Sequence, residues 1–267
     1  MIWNLDPVLI QFGYLKIHYY GVVFALGIFI GYLFWKSQTL KQGFSEKDTE
    51  DFVLWAFIAV IAGSRLGHCL FYEPQYYLRR PQEILFFWQG GLASHGATIA
   101  LLLTLYFYHR IKKIVFLQLC DCFALSASIG ATAVRIGNFL NSEIVGRKTD
   151  VPWGMKFPRY DLSMGYSEPV LRHPSQLYEV ALGLLVFSVI FFTDRYYSKK
   201  GEKRPLGLLS SLFLIFYFTG RFVVEYFKEY QTLPSSFPLT MGQILSIPFA
   251  LAGYILFIQV TKKRSAE

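Results

Sequence analysis

The chain is short of charge. Of its 267 residues only 16% are Asp, Glu, Lys or Arg, against about 25% in an ordinary soluble domain. That shortage excludes the polar surface a soluble enzyme needs and the high charge density of a disordered chain. Cysteine is scarce as well. Cys69, Cys120 and Cys122 lie inside or beside apolar runs and form neither a disulfide framework nor a zinc spacing. The histidines His18, His68, His109 and His173 are scattered, and no glycine-rich nucleotide fingerprint exists, so neither a metal nor an organic cofactor is expected. Repeats of fixed period and low-complexity tracts are missing too. The first basic residue is Lys16, so no charged segment leads into an apolar one as in a cleavable leader. The first hydrophobic helix is therefore expected to stay as an anchor.

What the chain does have is apolar and aromatic. Hydrophobic residues make up 54% and aromatics 18%, with 26 Phe and 18 Tyr, and the mean hydropathy is +0.36. In such a chain a net charge of +8 reads as a topology signal rather than a phosphate-backbone footprint, and no nucleic-acid partner is expected. A membrane helix needs about 20 mostly apolar residues. Seven stretches qualify: 17–35, 52–71, 92–108, 114–134, 176–193, 206–227 and 240–260, the fourth diluted by Asp121 and several Ser and Thr. The expected fold is an all-α integral membrane protein of about seven transmembrane helices, a single polytopic domain over 1–267.

Orientation follows from the basic residues of alternate connections. Segments 36–50, 109–113 and 194–204 with the tail after 260 hold 14 of the 26 Lys and Arg; the opposite set holds 9, five of them in one long loop. The N-terminus is then outside and the C-terminus cytoplasmic, with a small head formed by the long outer loops, chiefly 136–175. Arg65, Arg135 and Arg221 remain, each within or at the end of an apolar run. An ionisable group at mid-helix costs about 2.5–3.5 kcal/mol even on the lowest scale, so each needs a partner, a polar cavity or a route to the headgroups. Arg135 and Arg221 both fall near outer helix ends, which makes the outward half the expected working face.

Several strings there carry chemistry. Residues 135–147 read RIGNFLNSEIVGR, with Arg135, Asn138, Asn141, Glu143 and Gly146 gathered where an apolar helix ends. A planar guanidinium, two amides and a carboxylate suit a phosphodiester and its glycerol hydroxyls at headgroup depth. The plainer reading is a helix end with a polar turn. Residues 90–96 read GGLASHG, where the glycines let backbone approach a ligand or a neighbouring helix and set off His95. Residues 172–179 read RHPSQLYE; a helix start explains Pro174 and Ser175 but not the crowding of Arg172, His173, Gln176, Tyr178 and Glu179. In GRFVVE at 220–225, Arg221 and Glu225 stand four apart on one helix face, either as an internal ion pair or as an Arg held for an anion. Residues 242–248 read GQILSIP. Tyr20 suits an aromatic belt, and Asp121 is either structural or paired with an Arg such as Arg65.

Taken together, the chain resembles the prolipoprotein diacylglyceryl transferase family from IHYYG at 17–21 to GQILSIP, with RIGNFLNSEIVGR and RHPSQLYE as the specific matches. Three positions depart from the family's habit: Ser94, Ala97, and Lys228 in place of a frequent Arg. The resemblance implies seven membrane helices with a periplasmic head, in the bacterial cytoplasmic (inner) membrane, and no cofactor. It implies transfer of diacylglyceryl from phosphatidylglycerol to the lipobox cysteine thiol of a preprolipoprotein signal peptide, releasing glycerol 1-phosphate. The family's functional positions fall on Tyr20, His95, Asp121, Arg135, Asn138, Glu143, Gly146 and Arg221. Arg135 and Arg221 are expected to hold the phosphate and steady the leaving group, Tyr20, Asn138, Glu143 and Gly146 to bind the lipid, and His95 to take the thiol proton or position the headgroup. Asp121, His173 and Glu225 are expected in structural or uncertain roles. A phospholipid transporter or scramblase is the alternative, but it predicts polar residues threading both membrane halves, whereas here they gather outside. An intramembrane protease would need a base facing Ser126, Ser128 or Ser211, and no histidine is positioned for it.

Overall fold

A computed structural model describes residues 1–230 and 237–265. In hydrocarbon a main chain can satisfy its own polar groups only as a helix or a closed barrel, and each of the seven long apolar stretches falls chiefly on a helix. In chain order the elements are β1 (Val8–Phe12), β2 (Leu15–His18), α1 (Tyr19–Lys41), α2 (Glu46–Phe71), α3 (Pro74–Arg79), α4 (Ser94–Lys112) and α5 (Phe116–Leu140). They continue with β3 (Met155–Lys156), α6 (Pro158–Ser163), β4 (Leu171–Arg172), α7 (Ser175–Lys200), α8 (Leu208–Val224) and α9 (Met241–Ser265).

Among the described residues, six helices are long and apolar enough to cross a membrane: Tyr19–Lys41, Glu46–Phe71, Phe116–Leu140, Ser175–Lys200, Leu208–Phe227 and Met241–Lys263. The third expected span does form a helix, α4, of 19 residues. Its apolar middle is shortened by His95 and Gly96 at one end and His109, Arg110 and Lys112 at the other, which keeps it out of the six. Surface and interior are reversed relative to a soluble domain. Phe29, Trp55, Phe57, Leu103, Phe192, Leu251 and Ile255 are exposed on helices, while Ser128, Ser211 and Ser246 are fully buried. An apolar surface that extensive marks contact with lipid.

The chain divides into two compact units, residues 1–34 with 123–267 and residues 35–122. In the first, Ala124, Leu125, Val186, Ile190 and Leu209 form a core lined by Phe34, Phe187 and Phe191. Ser126 Oγ donates to Gly31 O at 2.7 Å and ties α5 to α1. α8 packs against both α7 and α9. A smaller cluster of Val145, Met155 and Phe157, covered by Trp3, Phe139 and Tyr160, sits where β3 pairs antiparallel with β4, Met155 opposite Arg172. Trp3 Nε1 donates to Phe139 O at 2.9 Å, so the N-terminal segment is pinned to that cluster.

In the second unit α2 and α4 lie face to face. Gly63 and Gly67, one helical turn apart, meet Gly96, where a Cβ would stand 2.1 Å from Gly63 O. Small residues at such a contact let two helix backbones approach closely, the usual solution where lipid removes the hydrophobic drive. The Gly96 of the GGLASHG string therefore serves a neighbouring helix. Ser45 caps α2 by accepting from Asp48 N at 3.0 Å, and Glu46 and Asp48 in the first turn suit the positive helix end. Trp35 stacks on Phe52 with centroids 4.2 Å apart.

Candidate active site

The site begins where α5 ends. Ser142 and Ile144 adopt left-handed backbone, with φ of +57° and +53°. A β-branched residue there is unusual, and the double turn throws Glu143 back over the last turn of the helix. Asn138 Nδ2 and Asn141 Nδ2 donate to the two oxygens of Glu143 at 3.4 and 3.1 Å, and Arg135 Nη1 donates to Asn138 Oδ1 at 3.2 Å. The start of α7 holds the turn in place: Gln176 Nε2 donates to Glu143 O at 2.7 Å and Ser175 Oγ to Ile144 O at 3.1 Å. The Tyr20 ring lies over Gly137, close enough that a Cβ there would be 2.5 Å from Cδ2. Gly146 must lack a side chain, because a Cβ would come within 2.3 Å of His173 O and 2.6 Å of Phe227 O.

Glu179, in the second turn of α7, is the centre of an ion cluster. Its Oε2 lies 3.2 Å from Arg135 Nε of α5. Its Oε1 lies 3.6 Å from Arg221 Nη1 of α8 and 3.7 Å from Lys228 Nζ. Glu225 is the second carboxylate: its Oε1 accepts from Lys228 Nζ at 2.7 Å and its Oε2 from Thr240 Oγ1 at 3.0 Å. Arg221 Nη2 stands 3.7 Å from Glu225, the expected pair four residues apart. Glu179 is buried to 5% exposure, whereas Arg135 and Arg221 keep 14% and 23% of their side chains open. Guanidiniums from two helices far apart in the chain thus approach one carboxylate while part of each side chain stays exposed.

Arg172 has a different setting. It is buried, with Nη2 2.8 Å from Asp161 Oδ1 and Nη1 2.6 Å from Glu229 Oε2. Burial opposes its charge, yet the hydrogen bonds to Asp161 and Glu229 outweigh that and push its pKa up. His173 Nδ1 meets the Tyr178 hydroxyl at 3.1 Å, and Trp153 Nε1 donates to that hydroxyl at 2.7 Å. Burial pushes the His173 imidazole below its ordinary pKa. The crowding in RHPSQLYE is therefore explained by three separate duties: Arg172 and His173 tie loops, Gln176 holds the α5 turn, and Glu179 bridges the arginines.

Tyr20, Arg135, Asn138, Glu143, Gly146, His173, Arg221 and Glu225 all belong to the first unit and are linked by these contacts. His95 and Asp121 belong to the second. His95 Nε2 lies 3.0 Å from the Tyr72 hydroxyl, and the two rings stack at 5.8 Å. Asp121 is buried on α5. The Arg65 fork donates to main-chain oxygens: Nε to Ile84 at 3.0 Å, Nη1 to Gly90 at 2.6 Å, Nη2 to Glu83 at 2.6 Å. Sequence reasoning did not foresee two members of the cluster, Glu179 as the bridge and Lys228 as a third cation. Lys228 carried a signal, standing three residues after Glu225 near the end of an apolar run; Glu179 carried only its place in the string.

The profile of the family described as prolipoprotein diacylglyceryl transferase matches residues 7–259. The chain is similar to phosphatidylglycerol–prolipoprotein diacylglyceryl transferases of three bacteria. It is 38% identical to that of Tolumonas auensis, over 99% of each chain. It is 38% identical to that of Bordetella avium, over 99% of this chain and 98% of the relative, and 37% identical to that of Bacteroides fragilis, over 99% and 97%. On that coverage the chain belongs to the family.

Proposed function

We propose, from membership of the prolipoprotein diacylglyceryl transferase family, that this chain moves the diacylglyceryl group of phosphatidylglycerol to the cysteine thiol of a prolipoprotein. The acceptor is the lipobox cysteine of the signal peptide. Sulfur attacks the glyceryl carbon that bears the phosphate, a carbon–sulfur bond forms, and the carbon–oxygen bond breaks. Glycerol 1-phosphate leaves with the bonding electron pair, and the thiol proton passes to a base. The family match supports the reaction, and one observation of the site supports it best: Arg135 and Arg221 converge on a single anionic group, as a phosphate clamp requires.

Magnitudes assign the roles. A thiol of pKa near 8.5 costs about 2 kcal/mol to ionise at pH 7, which one base supplies. Charge gathering on a departing phosphate is the larger demand, and one preorganised donor aimed at it is worth roughly 3–4 kcal/mol. Arg135 and Arg221 hold the phosphate and steady that charge. Asn138 and Glu143 orient the glycerol moiety, with Tyr20 and Gly146 shaping the lipid side of the site. His95 takes the thiol proton or positions the headgroup, a role carried over from the family string. The chain is read as spanning the bacterial cytoplasmic (inner) membrane with α4 as a seventh span, N-terminus outside and C-terminus cytoplasmic. Residues 136–175 then form the head on the periplasmic side, in one polytopic domain. Purified protein incubated with phosphatidylglycerol and a lipobox peptide should add the mass of one diacylglyceryl group to the peptide. A peptide of unchanged mass beside folded enzyme would contradict the reading.

A further inference from the structure

The two carboxylates of the ion cluster are held in different ways, and the difference has a use. Glu225 is fixed by hydrogen bonds of 2.7 Å from Lys228 and 3.0 Å from Thr240. Glu179 has no bond of that kind to its cations. Its contacts with Arg135, Arg221 and Lys228 are 3.2, 3.6 and 3.7 Å, and its buried Oε2 makes no hydrogen bond at all. Charge-assisted pairs in good geometry close to about 2.7–2.9 Å. Glu179 is therefore an anion seated between two guanidiniums without engaging their forks.

We propose that Glu179 is a placeholder for the lipid phosphate, a positioning residue whose carboxylate exchanges with it. Without substrate, two arginines facing one partly buried site would repel each other, and an unpaired buried charge is costly. Glu179 offsets part of that repulsion, leaving one positive charge in the cluster for an incoming phosphate, and keeps both side chains aimed at one point. When a phosphodiester arrives it takes over the two forks with bidentate geometry, and Glu179 turns to Lys228, which already lies within 3.7 Å of its Oε1. Charge then closes at three cations (Arg135, Arg221 and Lys228) against the phosphate, Glu179 and Glu225. When glycerol 1-phosphate must leave, the returning carboxylate competes for the same donors and expels it. The proposal rests on the phosphate-clamp reading of Arg135 and Arg221.

The test compares wild type with Glu179→Gln and Glu179→Asp as purified full-length protein. Binding of glycerol 1-phosphate is measured by calorimetry, and KM and kcat for phosphatidylglycerol by peptide mass gain. Gln keeps the shape and removes the competing charge; Asp withdraws the charge by one methylene. Affinity for glycerol 1-phosphate should rise several-fold in the order wild type, Asp, Gln. KM for phosphatidylglycerol should fall in the same order, with kcat falling as product release slows. Affinity unchanged or weakened in whichever variants fold, with only the melting temperature lowered, would overturn the proposal and leave Glu179 a structural counter-ion. Wild-type enzyme that binds glycerol 1-phosphate but transfers nothing would overturn the transferase reading instead, while the order of affinities still decides the placeholder.

Discussion

The buried arginines of the molecule are held in two opposite ways. In the second unit, Arg65 is surrounded by main-chain oxygens of Ile84, Gly90 and Glu83, and the Tyr77 ring lies 5.0 Å from its guanidinium carbon. Those partners are neutral and covalently part of the fold, so Arg65 is fully committed. In the first unit Arg135 and Arg221 share one carboxylate at longer distances and stay partly open. Arg172 shows that the first unit can also close an arginine completely, between Asp161 and Glu229. An arginine in an apolar run is thus no guide to function by itself; what matters is whether its donors are already filled by groups that cannot leave.

That contrast can be broken by substitution. Arg172→Ala leaves Asp161 buried without its cation and should cost about 3–5 kcal/mol of stability, read as a large drop in melting temperature. Arg135→Ala and Arg221→Ala should instead lower kcat by roughly 10²–10³-fold, the typical effect of losing one donor to developing charge, in protein that still purifies as a folded species. Arg65→Ala should fall on the structural side, costing about 1–3 kcal/mol as buried carbonyls lose their donor, with the loss seen in thermal stability rather than in turnover per folded molecule. If Arg65→Ala stayed as stable as wild type but lost turnover, the division between committed and open arginines would fail.

The smallest effect concerns pH. His173 has its pKa lowered by burial, so between that lowered value and the ordinary value of about 6.5 the unfolded chain binds a proton and the folded chain does not. Stability should therefore decline as pH falls through that window. In His173→Gln, whose side chain does not titrate, the decline should be shallower. Melting temperatures of the two proteins across the window, falling in parallel, would contradict it.

Much of the fold was legible because hydropathy reports the one thing a membrane helix needs. What it missed follows from the same cause. α2 starts at Glu46 rather than near Phe52 because a capped, acidic first turn is favourable helix yet invisible to an apolar window. The β1–β2 hairpin and the short α3 were also not expected, since their length and mixed polarity give no period to read. The gathering of Arg135, Asn138 and Glu143 was legible because they crowd one helix end. Glu179 and Lys228 were not, because their meaning lies in contacts between α7, α8 and α5 that no local spacing encodes.

Whether Arg135 and Arg221 grip one phosphate together is tested most directly by a double-mutant cycle. kcat/KM for phosphatidylglycerol is measured for wild type, Arg135→Ala, Arg221→Ala and the pair. Groups that act on one charge are non-additive, so the double variant should lose little more than the worse single one. Losses that multiply, or either single variant working at near wild-type rate, would mean that the two arginines serve different ends.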